Sequence, residues 1–337
     1  MQSRRGARSA ALRLRGAMNE SKPVQTRTDQ AAAEEGGMRL STKRRCIGYE
    51  RRVQLWGIAF VLPAVLFFLV FKYGPMVWAV GLSLTNYDMV SAPHFIGLEN
   101  YRGLLADQVF LATLLNTLVY IGGCTLLITL TGLALALVIN IGIPGSRYCM
   151  MAMFLTNLIP VIAVCLVWKF LLHPLGPITQ LLQPFGVGRV DWITNSATAM
   201  PAIIVVTVWR FAPYFMIVFL AGLLAIPKDY YEAAQMDGAN ALWRFRHITI
   251  PLLAPTIFFV VVVAALLSAR IFLMPYLITG GGPGNATRVL SMLIYDTGFS
   301  YLKMGRAAAI SVVLFAIMLA FTLLQMRLFT HSERAGA

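Results

Sequence analysis

Residues 230–255, YYEAAQMDGANALWRFRHITIPLLAP, form a polar island between two strongly apolar segments. The local chemistry predicts two short helices joined by a turn. Pro227 suits a helix start because its missing N–H would be an orphan there in any case, and Glu232, Ala233, Ala234 and Gln235 are good helix formers. Gly238, directly after Asp237, can take the left-handed conformation that closes such a helix. The chain then enters a second short helix from about Asn240, with Leu242, Phe245 and Thr249 near one face. Ala233 and Ala234 leave a smooth surface beside one acid, Glu232, suited to close approach by a partner that offers a cation. Pro251 and Pro255 mark the return to apolar sequence. From composition alone an ordinary amphipathic loop is the simpler account, with a docking element as the alternative.

The chain around this island is unlike a soluble domain. Of its 337 residues 58% are hydrophobic and 12% charged, which predicts a polytopic membrane protein. The net charge of +14 does not point to nucleic acid, because 13 of the 28 Lys and Arg fall in residues 1–54, ahead of the first apolar run. That basic stretch is too polar for a signal peptide and is expected to be a disordered extension, with Met38 a possible alternative start. Cys46, Cys124, Cys149 and Cys165 show no paired spacing, so neither a disulfide framework nor a metal site is indicated.

Six apolar runs follow, at about residues 55–84, 109–139, 149–172, 199–225, 252–279 and 305–329, each near the length that crosses a bilayer as a helix. Helices are required because lipid cannot satisfy backbone hydrogen bonds. In the first, Lys72 can snorkel to an interface while Gly74 and Pro75 bend the helix beyond it. With the N-terminus inside, cytoplasmic segments hold 19 Lys and Arg and outer segments 5, namely Arg102, Arg189, Arg288, Lys303 and Arg306. Both termini are therefore expected inside, with the 230–255 elbow in the cytoplasm.

Spacing within the island carries a further signal. Glu232-Ala233-Ala234, a glycine four residues after the last Ala, and Ile250-Pro251 a further 12 on resemble the EAA loop of membrane subunits of bacterial ABC importers. His94–Tyr101 (HFIGLENY), with Asp107 and Phe110, resembles the first periplasmic loop of the sugar-type permeases. Gly280–Thr287 (GGGPGNAT), then Phe299, Gly305 and AISVVLF from Ala309, is similar to the maltose-permease branch, as are Trp209, Arg210, Pro213, Ala221, Gly222, Leu223, Ile226 and Pro227.

The resemblance covers most of the chain and implies an all-α membrane protein of the type I ABC importer permease fold. Its expected layout is a six-helix transmembrane domain over residues 55–330, a coupling loop at about 226–252 and a cytoplasmic tail at 331–337. It implies a bacterial inner-membrane subunit that moves a sugar or oligosaccharide. The expected partners are an extracytoplasmic binding protein, a second homologous permease in a heterodimer, and two ATPase subunits. ATP and Mg would belong to those ATPases, since no Walker A sequence occurs here. Glu232, Ala233, Ala234, Asp237 and Gly238 are the expected docking residues.

Residues inside the spans supply the remaining candidates. Arg270 lies well past Pro255 and either hydrogen-bonds a substrate hydroxyl or anionic group, or pairs with a partner subunit or a carbonyl. Tyr214, Phe272 and Tyr276 have ring faces that suit the apolar faces of sugars, although such residues more often pack helices or face lipid. For Arg210 a structural role is expected. The glycines at 280–284 suggest a phosphate loop, but no Lys-Ser or Lys-Thr follows and no strand precedes; a tight turn is expected. The four histidines fall in separate segments, so no catalytic or metal cluster is predicted and the chain reads as no enzyme. Within transport, glycerol 3-phosphate or a polyol is the alternative cargo. An ion-coupled secondary transporter would have no use for the elbow, and a membrane-embedded enzyme would need clustered acids or histidines at one membrane face.

Overall fold

The computed structural model describes residues 51–185 and 190–335. Residues 1–50 of the expected extension and Arg189 lie outside the described residues, as do the side chains of the expected tail at 331–337. The described residues up to Pro75 and those from Met76 onward form two compact units. Among the described residues five helices are long and apolar enough to cross a membrane: Arg51–Ser83, Gln108–Asn140, Ser196–Leu224, Ala241–Ala269 and Met304–Arg327. Within the first, a π-turn at Leu69–Tyr73 closes with the Gly74 N–H on the Leu69 carbonyl, directly ahead of Pro75. The widened turn accommodates a proline that can donate nothing to the residue four positions back. Lys72 Nζ lies 5.9 Å from the ring centres of both Phe68 and Tyr73.

In the second unit the broadest helix contact is between Gln108–Asn140 and Ser196–Leu224. Each of these helices begins on a side-chain cap: Asp107 accepts from the Val109 N–H at 2.8 Å and Asn195 from the Ala197 N–H at 3.0 Å. Fully buried Tyr120 and Thr207 hydrogen-bond across the contact at 2.6 Å, which disposes of two hydroxyls where no water is available. Phe215, Met216 and Phe219 from the same helix, with Leu253 and Val260 from the next, complete this core.

The third expected span, residues 149–172, is not one helix. It is built from Ser146–Leu155 and Val161–Leu171, with a non-helical break between them. Pro160 is the cause: it has no N–H for the Thr156 carbonyl, and it biases Ile159 away from helical geometry. The fifth expected span, residues 252–279, is displaced at both ends. Its helix begins at Ala241, passes through a π-turn at Phe245–Thr249 just ahead of Pro251, and stops at Ala269. Leu273–Ile278 is a separate short helix, because Pro275 cannot donate to Ile271; the Ser291 hydroxyl donates to that freed carbonyl instead.

At the end of the spans where Gln108–Asn140 and Met304–Ala335 begin, a short antiparallel pair joins Thr85–Asn86 to His94–Phe95. The HFIGLENY stretch fastens it. Asn100 donates to the carbonyls of Ser83 and Thr85 at 2.8 and 2.9 Å, and the Tyr101 and Ser83 hydroxyls meet at 2.7 Å. Gly305 passes so close beneath this pair that an added Cβ would lie 2.1 Å from the Thr85 carbonyl oxygen. Gly305→Ala is therefore expected to cost about 1–3 kcal/mol through backbone displacement, lowering the melting midpoint of the detergent-solubilised protein. Gly103→Ala, inside the Glu99–Leu105 helix with nothing within 4 Å of its added Cβ, is the control and should hold or raise the midpoint.

Candidate functional site

The elbow is built as two helices and a tight stop. Pro227 occupies the position before the Lys228–Met236 helix, with extended ψ of 136°, and Asp229 places a negative charge in the first turn. The helix closes with the Gly238 N–H on the Gln235 carbonyl at 3.1 Å and the Ala239 N–H on the Ala234 carbonyl at 2.9 Å. These two bonds are the paired Schellman closure, and they require the left-handed backbone that Gly238 adopts at φ +81°. Asn240 then caps the next helix, its side-chain oxygen accepting from the Trp243 N–H at 2.8 Å.

The second helix differs from the short one expected. It continues through the Phe245–Thr249 π-turn into Ala241–Ala269, so the elbow and the span share one rod. Two contacts bind the first helix to this rod: Tyr231 and Thr249 hydroxyls at 3.1 Å, and the Arg244 guanidinium donating to Gln235 Oε1 at 3.2 Å. The remaining surface is open. Glu232, Ala233 and Asp237 are exposed, Ala234 is half-buried, and Glu232 makes no hydrogen bond or ion pair among the described residues. Met236 at 88% and Leu242 at 74% exposure flank them, so the acids Glu232 and Asp237 stand beside exposed apolar side chains.

The aromatic candidates divide. Phe272 and Tyr276 stack at 4.9 Å with rings 20° apart, and Tyr295 joins them at 5.3 and 6.1 Å. Phe299 extends the group, 5.5 Å from Tyr295. Tyr295 and Phe299 were not among the expected residues, although their four-residue spacing on a helix is a signal that sequence carries. Tyr214 is elsewhere, edge-on to its neighbour Phe215 at 5.1 Å. Arg270 stands exposed at the terminus of the Ala241–Ala269 helix, its Nε donating back to the Leu266 carbonyl at 3.4 Å.

Arg210 has a definite task. Its Nη1 donates to the Thr156 carbonyl at 3.3 Å and to the Ile159 carbonyl at 3.1 Å. Those are the carbonyls at the break that Pro160 opens, and the positive charge also faces the C-terminal end of the Ser146–Leu155 helix. The intramembrane arginine thus closes a gap in the backbone of its neighbour.

Comparison with known proteins places the chain among transport components. Residues 128–335 match the family described as binding-protein-dependent transport system inner membrane component. The chain is 36% identical over 276 residues to a probable ABC transporter permease protein, YurN, of Bacillus subtilis, covering 80% of this chain and 94% of that one. It is 32% identical over 277 residues to the trehalose/maltose transport system permease protein MalF of Thermococcus litoralis, covering 80% and 92%. Among solved structures it is similar to a chain of a bacterial alginate ABC transporter in complex with an alginate pentasaccharide-bound periplasmic protein. The TM-score is 0.71 at 26% identity, covering 82% of this chain and 93% of the other.

Removing the clamp should be measurable. Arg210→Leu leaves two carbonyls without a donor in an apolar setting and is expected to lower stability by about 1–3 kcal/mol, read as the denaturation midpoint in detergent. Arg210→Lys keeps a charged donor and should recover part of the loss.

Proposed function

The chain belongs to the binding-protein-dependent transport system inner membrane components, and from that premise we propose that it carries a sugar or oligosaccharide across the membrane, driven through its exposed elbow. It is a permease subunit of an ABC importer, a transport component. The cargo is supplied by a soluble binding protein on the extracytoplasmic side, and the pathway is completed by a second, homologous permease. Two separate ATPase subunits bind ATP and Mg and supply the energy by hydrolysis. Support for the saccharide comes from the names of the relatives, which handle trehalose, maltose and alginate.

The observation that carries the reading is the continuity of the Ala241–Ala269 helix with the elbow. Glu232, Ala233, Ala234, Asp237 and Gly238 form the face that seats on an ATPase, with Glu232 meeting a cation and Met236 and Leu242 covered by the partner. When the ATPases close, the Lys228–Met236 helix moves with them. Its bonds to Thr249 and Arg244 pass that displacement to a rod of 29 residues, about 43 Å long. The far end of the rod bears Arg270, and Phe272 and Tyr276 follow directly; these residues, with Tyr214 on the neighbouring span, line the substrate path. The rod tilts as a unit, and the pathway changes the side to which it opens. The distribution of Lys and Arg supports placing the elbow and both termini in the cytoplasm.

The primary test is purification of the tagged chain from its native membrane, with co-purifying proteins identified and ATPase activity followed with and without candidate sugars and glycerol 3-phosphate. Recovery of an ATPase and a second permease, with activity that depends on a binding protein and a saccharide, is the expected result. Stimulation by glycerol 3-phosphate alone would replace the cargo, and transport by the chain without ATP would end the proposal. Glu232→Lys should reduce ATPase co-purification about tenfold or more, as expected when one partner of a covered charge contact is reversed. Arg270→Ala should alter uptake and substrate-stimulated ATPase activity while leaving ATPase co-purification unchanged.

A further inference from the structure

At the end of the spans opposite the elbow, a cavity of about 280 Å³ opens where the Gln108–Asn140 and Met304–Ala335 helices begin. It is many times the roughly 30 Å³ share of a single water molecule. Arg288, Lys303 and Arg306 line it together with one acid, Asp107. Two of the cations are already paired, Arg306 with Asp107 and Arg288 with Asp296. Among the described residues Lys303 has no ion pair, and it is exposed, so the group carries one uncompensated positive charge.

Donor capacity is also left over. Arg288 donates through Nη1 to Asn285 at 3.0 Å and through Nη2 to Asp296, yet its Nε is buried with no hydrogen-bond partner among the described residues. A guanidinium so placed holds its charge at the cavity edge, where an oxyanion would meet it. Apolar side chains, Leu104, Val109, Leu293 and Ile310, line another part of the wall, with Thr297 and Tyr301 between. Cations above an apolar wall suit a ligand that is itself charged at one end and apolar at the other.

We propose that this cavity is a binding site for the phosphate of an anionic phospholipid. Its level in the molecule favours a lipid over a soluble anion, because Asp107 and Lys303 each directly precede a membrane span and so lie where headgroup phosphates lie. Its charge selects among lipids. A phosphatidylglycerol headgroup brings one negative charge to one surplus positive charge, whereas a phosphatidylcholine headgroup also brings a quaternary ammonium toward Lys303 and Arg306.

The test is native mass spectrometry of the full chain with its co-purifying subunits, after exchange into equal amounts of phosphatidylglycerol and phosphatidylcholine. Phosphatidylglycerol should be retained in preference. Lys303→Gln, at an exposed position that leaves folding intact, should reduce that retention about fivefold, the effect of one cation beside an anionic headgroup. Arg288→Lys, which keeps the charge but replaces the planar guanidinium fork at the cavity edge, should also reduce it. Equal retention of the two lipids would overturn the proposal, as would retention unchanged in both variants. Displacement of the lipid by inorganic phosphate alone would make this a site for free anions. Loss of binding-protein association in Lys303→Gln, with lipid retention unaffected, would assign the cavity to an acidic side chain of that protein.

Discussion

Every backbone carbonyl that enters the bilayer must find a donor inside the protein, and this molecule meets that demand at two places where proline removes the usual one. Pro160 leaves Thr156 without its helical partner, and Arg210 reaches over from another span to supply one. Pro275 does the same to Ile271, and Ser291 answers. The two solutions differ in strength because a guanidinium can serve Thr156 and Ile159 together, whereas a hydroxyl serves one acceptor. Both breaks divide an expected span into shorter rods whose relative setting depends on a residue distant in the chain.

The opposite arrangement holds at the elbow. There the chain has every reason to interrupt itself, with Pro251 and Pro255 close together, and yet helix persists from Ala241 to Ala269. The π-turn at Phe245–Thr249 is what permits this, since its wider hydrogen bonding absorbs the donor that Pro251 lacks. Continuous at the elbow and jointed at Pro160 and Pro275, the fold divides its prolines between two uses.

Much of this was legible in the sequence. The helix over Glu232, Ala233 and Ala234 and its stop at Gly238 follow from the sequence, because a helix stop of this kind is local and glycine names its own conformation. The long spans followed from apolar length alone. Less legible was whether a proline breaks, bends or merely widens a helix, because that depends on donors far away: Arg210 lies 54 residues from Thr156 and Ser291 lies 20 from Ile271. The aromatic group shows the same limit. Phe272, Tyr276 and Tyr214 stand together as candidates in the sequence, but only Phe272 and Tyr276 stack, Tyr295 and Phe299 reach them through the return of the chain after Gly280–Thr287, and Tyr214 has no such return. Nor could spacing reveal that Asp107 both caps a helix and pairs with Arg306, nearly two hundred residues on.

The π-turn also sets an angular phase. One residue more than a regular helix would use rotates everything beyond it by about 100° about the axis, since each residue of an α-helix turns the chain by that amount. Thr249, at the last position of the turn, is thereby brought under the Tyr231 hydroxyl. The rod ahead of the turn and the rod behind it are consequently indexed to each other like two gears on one shaft, and a single inserted or deleted residue between Phe245 and Thr249 would re-time the Lys228–Met236 helix against every side chain beyond the turn.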